Sequence, residues 1–152
     1  MPNNFKYRSG LSSVGAYQVS GVPYLSASSA AIPASSGTPY KVEFPYITQW
    51  IIVENTKTDA NLRVAFSSLG AQGTSIVNGV ATKNYIVLPS GSVDPEAGAR
   101  ARIRLDVRVK ELYLLGDGTT AATAQIAAGL TTVPVEELTG TYNNWTGSSG
   151  VG

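Results

Sequence analysis

Between Ala99 and Lys110 the chain alternates without interruption. Ala101, Ile103, Leu105, Val107 and Val109 share one parity; Arg100, Arg102, Arg104, Asp106, Arg108 and Lys110 share the other. A helix, with about 3.6 residues per turn, would scatter these apolar groups around its axis, whereas a strand sends successive side chains to opposite faces. The pattern predicts one long β-strand, or two strands meeting at a bend near Asp106, with an apolar inner face and a charged outer one. Parallel strands covered on both faces read as continuous apolar runs, so this alternation belongs to an antiparallel sheet with one face in the core. It also gathers five of the chain's 11 basic residues into one row. The expected class is all-β.

Composition works mainly by exclusion. A length of 152 residues suits a single domain that buries a core without covalent staples. There is no cysteine, hence no disulfide framework or thiolate metal site, and no histidine, hence no Ser–His–Asp or Cys–His catalytic arrangement. Charged residues make up 14% and the net charge is +1, which argues against a broad basic surface for gripping nucleic acid. No run approaches the roughly 20 apolar residues of a membrane-spanning helix. The first ten residues, Met1-Pro-Asn-Asn-Phe-Lys-Tyr-Arg-Ser-Gly10, lack the apolar stretch of a conventional secretory signal.

Short strand-like segments follow one another along the chain. Residues 1–15 read as an extended N-terminal arm, 16–139 as a single β-sandwich domain, and 140–152 as a Gly/Ser-rich C-terminal arm. Pro23 restricts the segment 16–25 to an edge or a strand end. Ser26 to Gly37 reads as a loop, Tyr40–Phe44 as an alternating strand, and Ile47–Glu54 as a buried one. Leu62–Phe66 alternates again, Ser67–Lys83 reads as a long Gly-rich loop with a short strand at 75–77, and Asn84–Leu88 as a strand. Glu111–Leu115 followed by Gly116-Asp-Gly118 predicts a hairpin. Ala122–Ala128 reads as a strand despite its alanines, and Thr131–Leu138 as a further short one. About eight strands with no helical stripe predict an eight-stranded antiparallel jelly-roll sandwich with negligible helix. Its expected core contains Val42, Phe44, Ile51, Val53, Val64, Phe66, Ile86, Leu88, Ile103, Leu105 and Leu112.

Few residues offer chemistry. Asp94/Glu96 and Glu136/Glu137 are the local carboxylate pairs, and the glycosidase alternative needs two carboxylates about 5–10 Å apart across a cleft. Acidic residues flanked by glycine in a turn more simply serve as solvated loop formers, so no enzyme activity, cofactor or metal is expected. Gly70-Ala-Gln-Gly73 and Gly116-Asp-Gly118 match no phosphate loop, and Asn144-Trp-Thr146 is a chance glycosylation triplet in a chain without a secretory signal. The basic row is either a solvated face that protects an exposed strand, with Glu43, Glu54 or Glu111 as counter-charges, or a contact surface. The aromatic residues, Trp50 and Trp145 among them, suit a sugar platform or protein contacts. The candidate subunit-interface residues are Tyr7, Arg8, Tyr17, Tyr24, Arg100, Arg102, Arg104 and Trp145.

Two terminal segments carry a resemblance. Tyr7-Arg-Ser-Gly-Leu-Ser-Ser-Val-Gly-Ala-Tyr-Gln-Val-Ser-Gly-Val-Pro-Tyr24 and Asn144-Trp-Thr-Gly-Ser-Ser-Gly-Val-Gly152 resemble the termini of small single jelly-roll capsid proteins of icosahedral double-stranded DNA viruses. The resemblance implies a penton or minor capsid protein found in the virion and assembled in a host cell. Its partners would be copies of itself, in a cyclic oligomer such as a pentamer, and other capsid proteins including a major capsid protein. With only Lys6 and Arg8 before Lys41, strong nucleic-acid binding is not expected. The alternative, on the same fold, is a carbohydrate-binding or host-attachment module.

Overall fold

The computed structural model describes residues 21–27, 31–77, 80–90, 101–139 and 144–145. Ten strands run along them: β1 (Val22–Ala27), β2 (Tyr40–Glu43), β3 (Tyr46–Asn55), β4 (Asn61–Ala65), β5 (Ser75–Val77), β6 (Val80–Thr82), β7 (Ile86–Leu88), β8 (Arg102–Leu105), β9 (Glu111–Asp117) and β10 (Ala124–Pro134). One four-stranded sheet has the order β1-β10-β3-β8, the other β2-β9-β4-β7, and β5-β6 form a separate hairpin. Every pairing is antiparallel. The pairs nest: β1 with β10, β2 with β9, β3 with β8, β4 with β7. The chain therefore behaves as one long hairpin, folded back between β4 and β7 and then wrapped so that alternate strand pairs fall in opposite sheets.

The inner faces of both sheets share one core. Val42, Leu62, Val64, Leu88, Leu112 and Leu114 come from one sheet and Ile51, Val53, Ala124, Ile126, Ala128 and Leu130 from the other. Phe44 is buried with them, while Phe66 and Ile103 pack against the cluster partly covered. Tyr24 also turns inward from β1 and meets the Phe44 ring edge-on, with centroids 5.1 Å apart. Ile86 departs from expectation. It has inward parity, opposite Val64, but β7 is an edge strand, and at the open margin of the sandwich Ile86 stays 42% exposed.

Two strand pairs cross between the sheets together. The pairing Glu43–Glu111 lies in one sheet and Ile51–Leu105 in the other, and the chain bends between them through Phe44 and Lys110. The bend ends β8 at Leu105, although burial continues to alternate up to Val109. Thr48 replaces the lost ladder: its hydroxyl donates to Val107 O at 2.7 Å and accepts from Val109 N at 3.0 Å. Such bonds matter because a buried backbone group left unpaired costs about 1–3 kcal/mol. Thr131 does the same at a register shift in β10, donating to Ile47 O and accepting from Val133 N.

Four further expectations are corrected. No hairpin joins β9 to β10, because they lie in different sheets. Gly116 is a strand residue there, bonded to Pro33 O at 2.7 Å, and a Cβ on it would stand 2.8 Å from Thr120 O. Residues 131–134 prolong β10 instead of forming a separate strand, and the chain then leaves through a 3-10 turn, Val135–Glu137. The Gly-rich segment after β4 holds a helix, α1 (Ser68–Gln72), capped by the Ser67 hydroxyl and ended by Gly73 at φ +72°. Among the described residues the strand count is ten, because β5 and β6 add a hairpin outside the two sheets.

Candidate functional site

The two outer faces of the sandwich differ. On the β2-β9-β4-β7 sheet, α1 and Tyr85 cover Ala65, Tyr113 and Leu115. Arg63 rivets this layer down: Nε bonds the Asp117 carboxylate at 2.7 Å, Nη1 reaches Ala71 O at 3.3 Å, and the guanidinium lies 4.5 Å from the Tyr85 ring centre. Beside it, buried Glu111 accepts from the Tyr113 hydroxyl at 2.9 Å and pairs with Lys41, which also bridges to Glu43. Glu43 first and Glu111 second hold the Lys41 pKa above its ordinary value, against a contrary effect of burial. The charged groups of this cluster pair with one another, and the Lys41–Glu111 bridge joins β2 to β9.

The outer face of β1-β10-β3-β8 is open among the described residues. Three rows cross it in register: Pro23, Gly129 and Trp50; Leu25, Ala127, Ile52 and Arg104; Ala27, Gln125, Glu54 and Arg102. Leu25 is 81% exposed. Trp50, Ile52 and Ala127 are half-buried. Ala127 on β10 lies between Leu25 on β1 and Ile52 on β3, leaving a hollow of about 310 Å³ bounded also by Ala27, Glu54 and Gln125. A second hollow, about 320 Å³, opens at the margin between β7 and β8 over Val64, Phe66, Tyr85, Ile86 and Leu105, with Lys83 at its rim.

Arg102 and Arg104, both exposed, occupy the basic edge of that open face. Arg102 stands opposite Glu54, one of the expected counter-charges. Arg104 pairs with Asp106 at 3.2 Å and lies 5.2 Å from the Trp50 ring centre. Tyr24, by contrast, belongs to the core margin on the inner side of β1. Trp145 is 41% exposed, next to Asn144, which is fully buried. The Asn144 amide bonds Lys110 N, Glu111 N, Phe66 O and Glu111 O, so this part of the C-terminal segment is anchored in its own domain and the Asn144 triplet offers no accessible amide for a glycan. Tyr7, Arg8, Tyr17 and Arg100 lie outside the described residues, as do Asp94 and Glu96. Glu136 and Glu137 sit exposed on the 3-10 turn.

Sequence reasoning missed the apolar half of the open face. The signal was present in Trp50-Ile-Ile-Val53, where both parities are apolar. Such a run asks for cover on two faces, and within this chain's described residues only Ile51 and Val53 receive it. Among those residues there is no group of three or more potential metal ligands and no helix long and apolar enough to cross a membrane. Comparison with known proteins finds no matching family model, no matching curated protein and no matching solved structure.

Proposed function

We propose that this chain is a structural subunit of a viral capsid, a single jelly-roll penton or minor capsid protein that works by packing against copies of itself and against other capsid proteins in the virion. The observation that carries the proposal is the nested pairing β1/β10, β2/β9, β3/β8 and β4/β7. Setting the β5-β6 hairpin aside, nested pairs distributed over two four-stranded sheets support the jelly-roll reading, an architecture used by viral capsid and lectin domains. The terminal segments favour the capsid member of that pair by resemblance. The surface adds support: its functional content is an apolar sheet face with a charged edge, a contact surface in chemical character. A closed ring, with five copies around an axis, follows where each copy presents two different complementary patches.

Electron microscopy of the purified full chain, over a range of concentration and salt, tests this. Fivefold rings or closed shells are expected, loosening as salt screens the Arg102/Arg104 edge. A strictly monomeric chain that binds a glycan array saturably, and loses that binding on Trp50→Ala or Trp145→Ala, would establish the carbohydrate-binding alternative instead.

A further inference from the structure

We propose that the outer face of the β1-β10-β3-β8 sheet is a twofold docking surface for a second copy of this chain. An isologous contact requires one patch to be complementary to itself, and the three rows have that property. Place a twofold axis between β10 and β3, parallel to the strands. It then sets β10 of each copy over β3 of the other. Ala127 falls beneath the other copy's Ile52, so a small residue meets a large one; Gly129, opposite Trp50, is already buried within its own chain. Gln125 falls over Glu54, and its amide donates to the carboxylate. At the flanks, Leu25 lies on the aliphatic stem of Arg104 and Ala27 on that of Arg102. Ile52 enters the other copy's hollow of about 310 Å³ over Ala127, and the same insertion occurs in reverse across the axis. The other sheet carries α1 and Tyr85 over Ala65, Tyr113 and Leu115, which leaves this face the more open of the two among the described residues.

Size sets the strength. Four strands about 4.8 Å apart and about six residues long at about 3.4 Å each give a footprint near 400 Å² per copy. The total of about 800 Å² lies below the usual 1,200 Å² minimum of stable complexes. The contact is therefore weak in isolation and gains its effect where copies are already held close. It does not depend on the capsid proposal, because a fivefold ring brings no residue against its own counterpart.

The absence of cysteine makes a clean test available. Facing sheets stand about 10 Å apart, beyond direct disulfide reach of about 7 Å between Cα atoms, so a short bismaleimide linker is the probe. Full-length Ala127→Cys, beside the axis, is expected to link to its own copy with a yield that rises with concentration. Leu69→Cys, exposed on α1 over the other sheet, is expected to link only at the background rate. In sedimentation velocity up to about 1 mM, Ala127→Glu (which fills the hollow and sets a carboxylate against Ile52) and Leu25→Lys (which faces Arg104) should each weaken association about tenfold or more. Both positions point outward, and circular dichroism verifies that the variants fold. Equal linking of Ala127→Cys and Leu69→Cys, or association unchanged in both charge variants, overturns the proposal. A ring seen by microscopy without Ala127→Cys linking would refute this contact and leave the capsid proposal standing; linking without rings would do the reverse.

Discussion

Asn144→Ala removes one side chain and four hydrogen bonds, all made to backbone groups at the junction of β4 and β9. The amide oxygen serves two successive donors, Lys110 N at 2.8 Å and Glu111 N at 3.1 Å. The amide nitrogen serves Phe66 O at 2.8 Å and Glu111 O at 3.2 Å. A side-chain amide thus stands in for a strand at the point where the chain bends from one sheet into the other. Alanine leaves those groups unpaired, and the fully buried site gives water poor access. Counting only two of them as unsatisfied, at about 1–2 kcal/mol each, the loss is about 2–4 kcal/mol. For a chain of this size that lowers the melting temperature by about 5–15 °C. Asn144→Asp should be no better, since a carboxylate cannot donate to Phe66 O or Glu111 O. Thermal and urea unfolding followed by circular dichroism measure the difference. Ending the chain after Asn143 removes the same bonds, so it must lose at least as much. A change below about 0.5 kcal/mol in Asn144→Ala, the range of a neutral surface substitution, would refute the reasoning and detach this segment from the domain.

Other consequences follow from the same geometry. Thr48→Val keeps the shape but leaves Val107 O and Val109 N unpaired, and should cost about 1–3 kcal/mol in urea unfolding. Arg63→Lys loses the Asp117 bond, the Ala71 bond and the Tyr85 stack together; hydrogen exchange should quicken in α1 while the core strands stay protected. Gly116→Ala puts a Cβ against backbone oxygens at 2.8 and 3.1 Å and should destabilise by about 1–3 kcal/mol. The Lys41 pKa is raised in the folded chain, so its stabilising effect is complete below the ordinary lysine range and fades as pH climbs through the raised value. Melting temperature should therefore fall more steeply above about pH 10.4 in the native chain than in Lys41→Met.

Much of this architecture was legible because period-two alternation is hard to imitate. The inward residues Val42 and Val64 follow from parity alone, and Pro23, which restricts its segment to an edge or a strand end, lies in edge strand β1. What escaped has identifiable physical causes. Gly116-Asp-Gly118 has turn composition, yet Gly116 is needed for a close approach to Pro33 O, a demand made by a residue 83 positions away and invisible locally. Five residues are too few to display a helical period, so α1 was readable only through its Ser67 cap and Gly73 stop. Alternation in burial persists through Val107 and Val109 although the strand ends at Leu105, because the bend preserves the facing of side chains while breaking the ladder. The basic row was found from its own residues, whereas the apolar field beside it emerges only when β1, β10 and β3 are set in register.

The central claim is that this chain exists to assemble, and the native mass of the purified full-length protein tests it most directly. Light scattering coupled to size exclusion should give a discrete multiple of the 15.9 kDa chain, five copies or a whole shell, that diminishes as salt is raised. A mass of one chain at every concentration and salt, with the fold intact by circular dichroism, would contradict it.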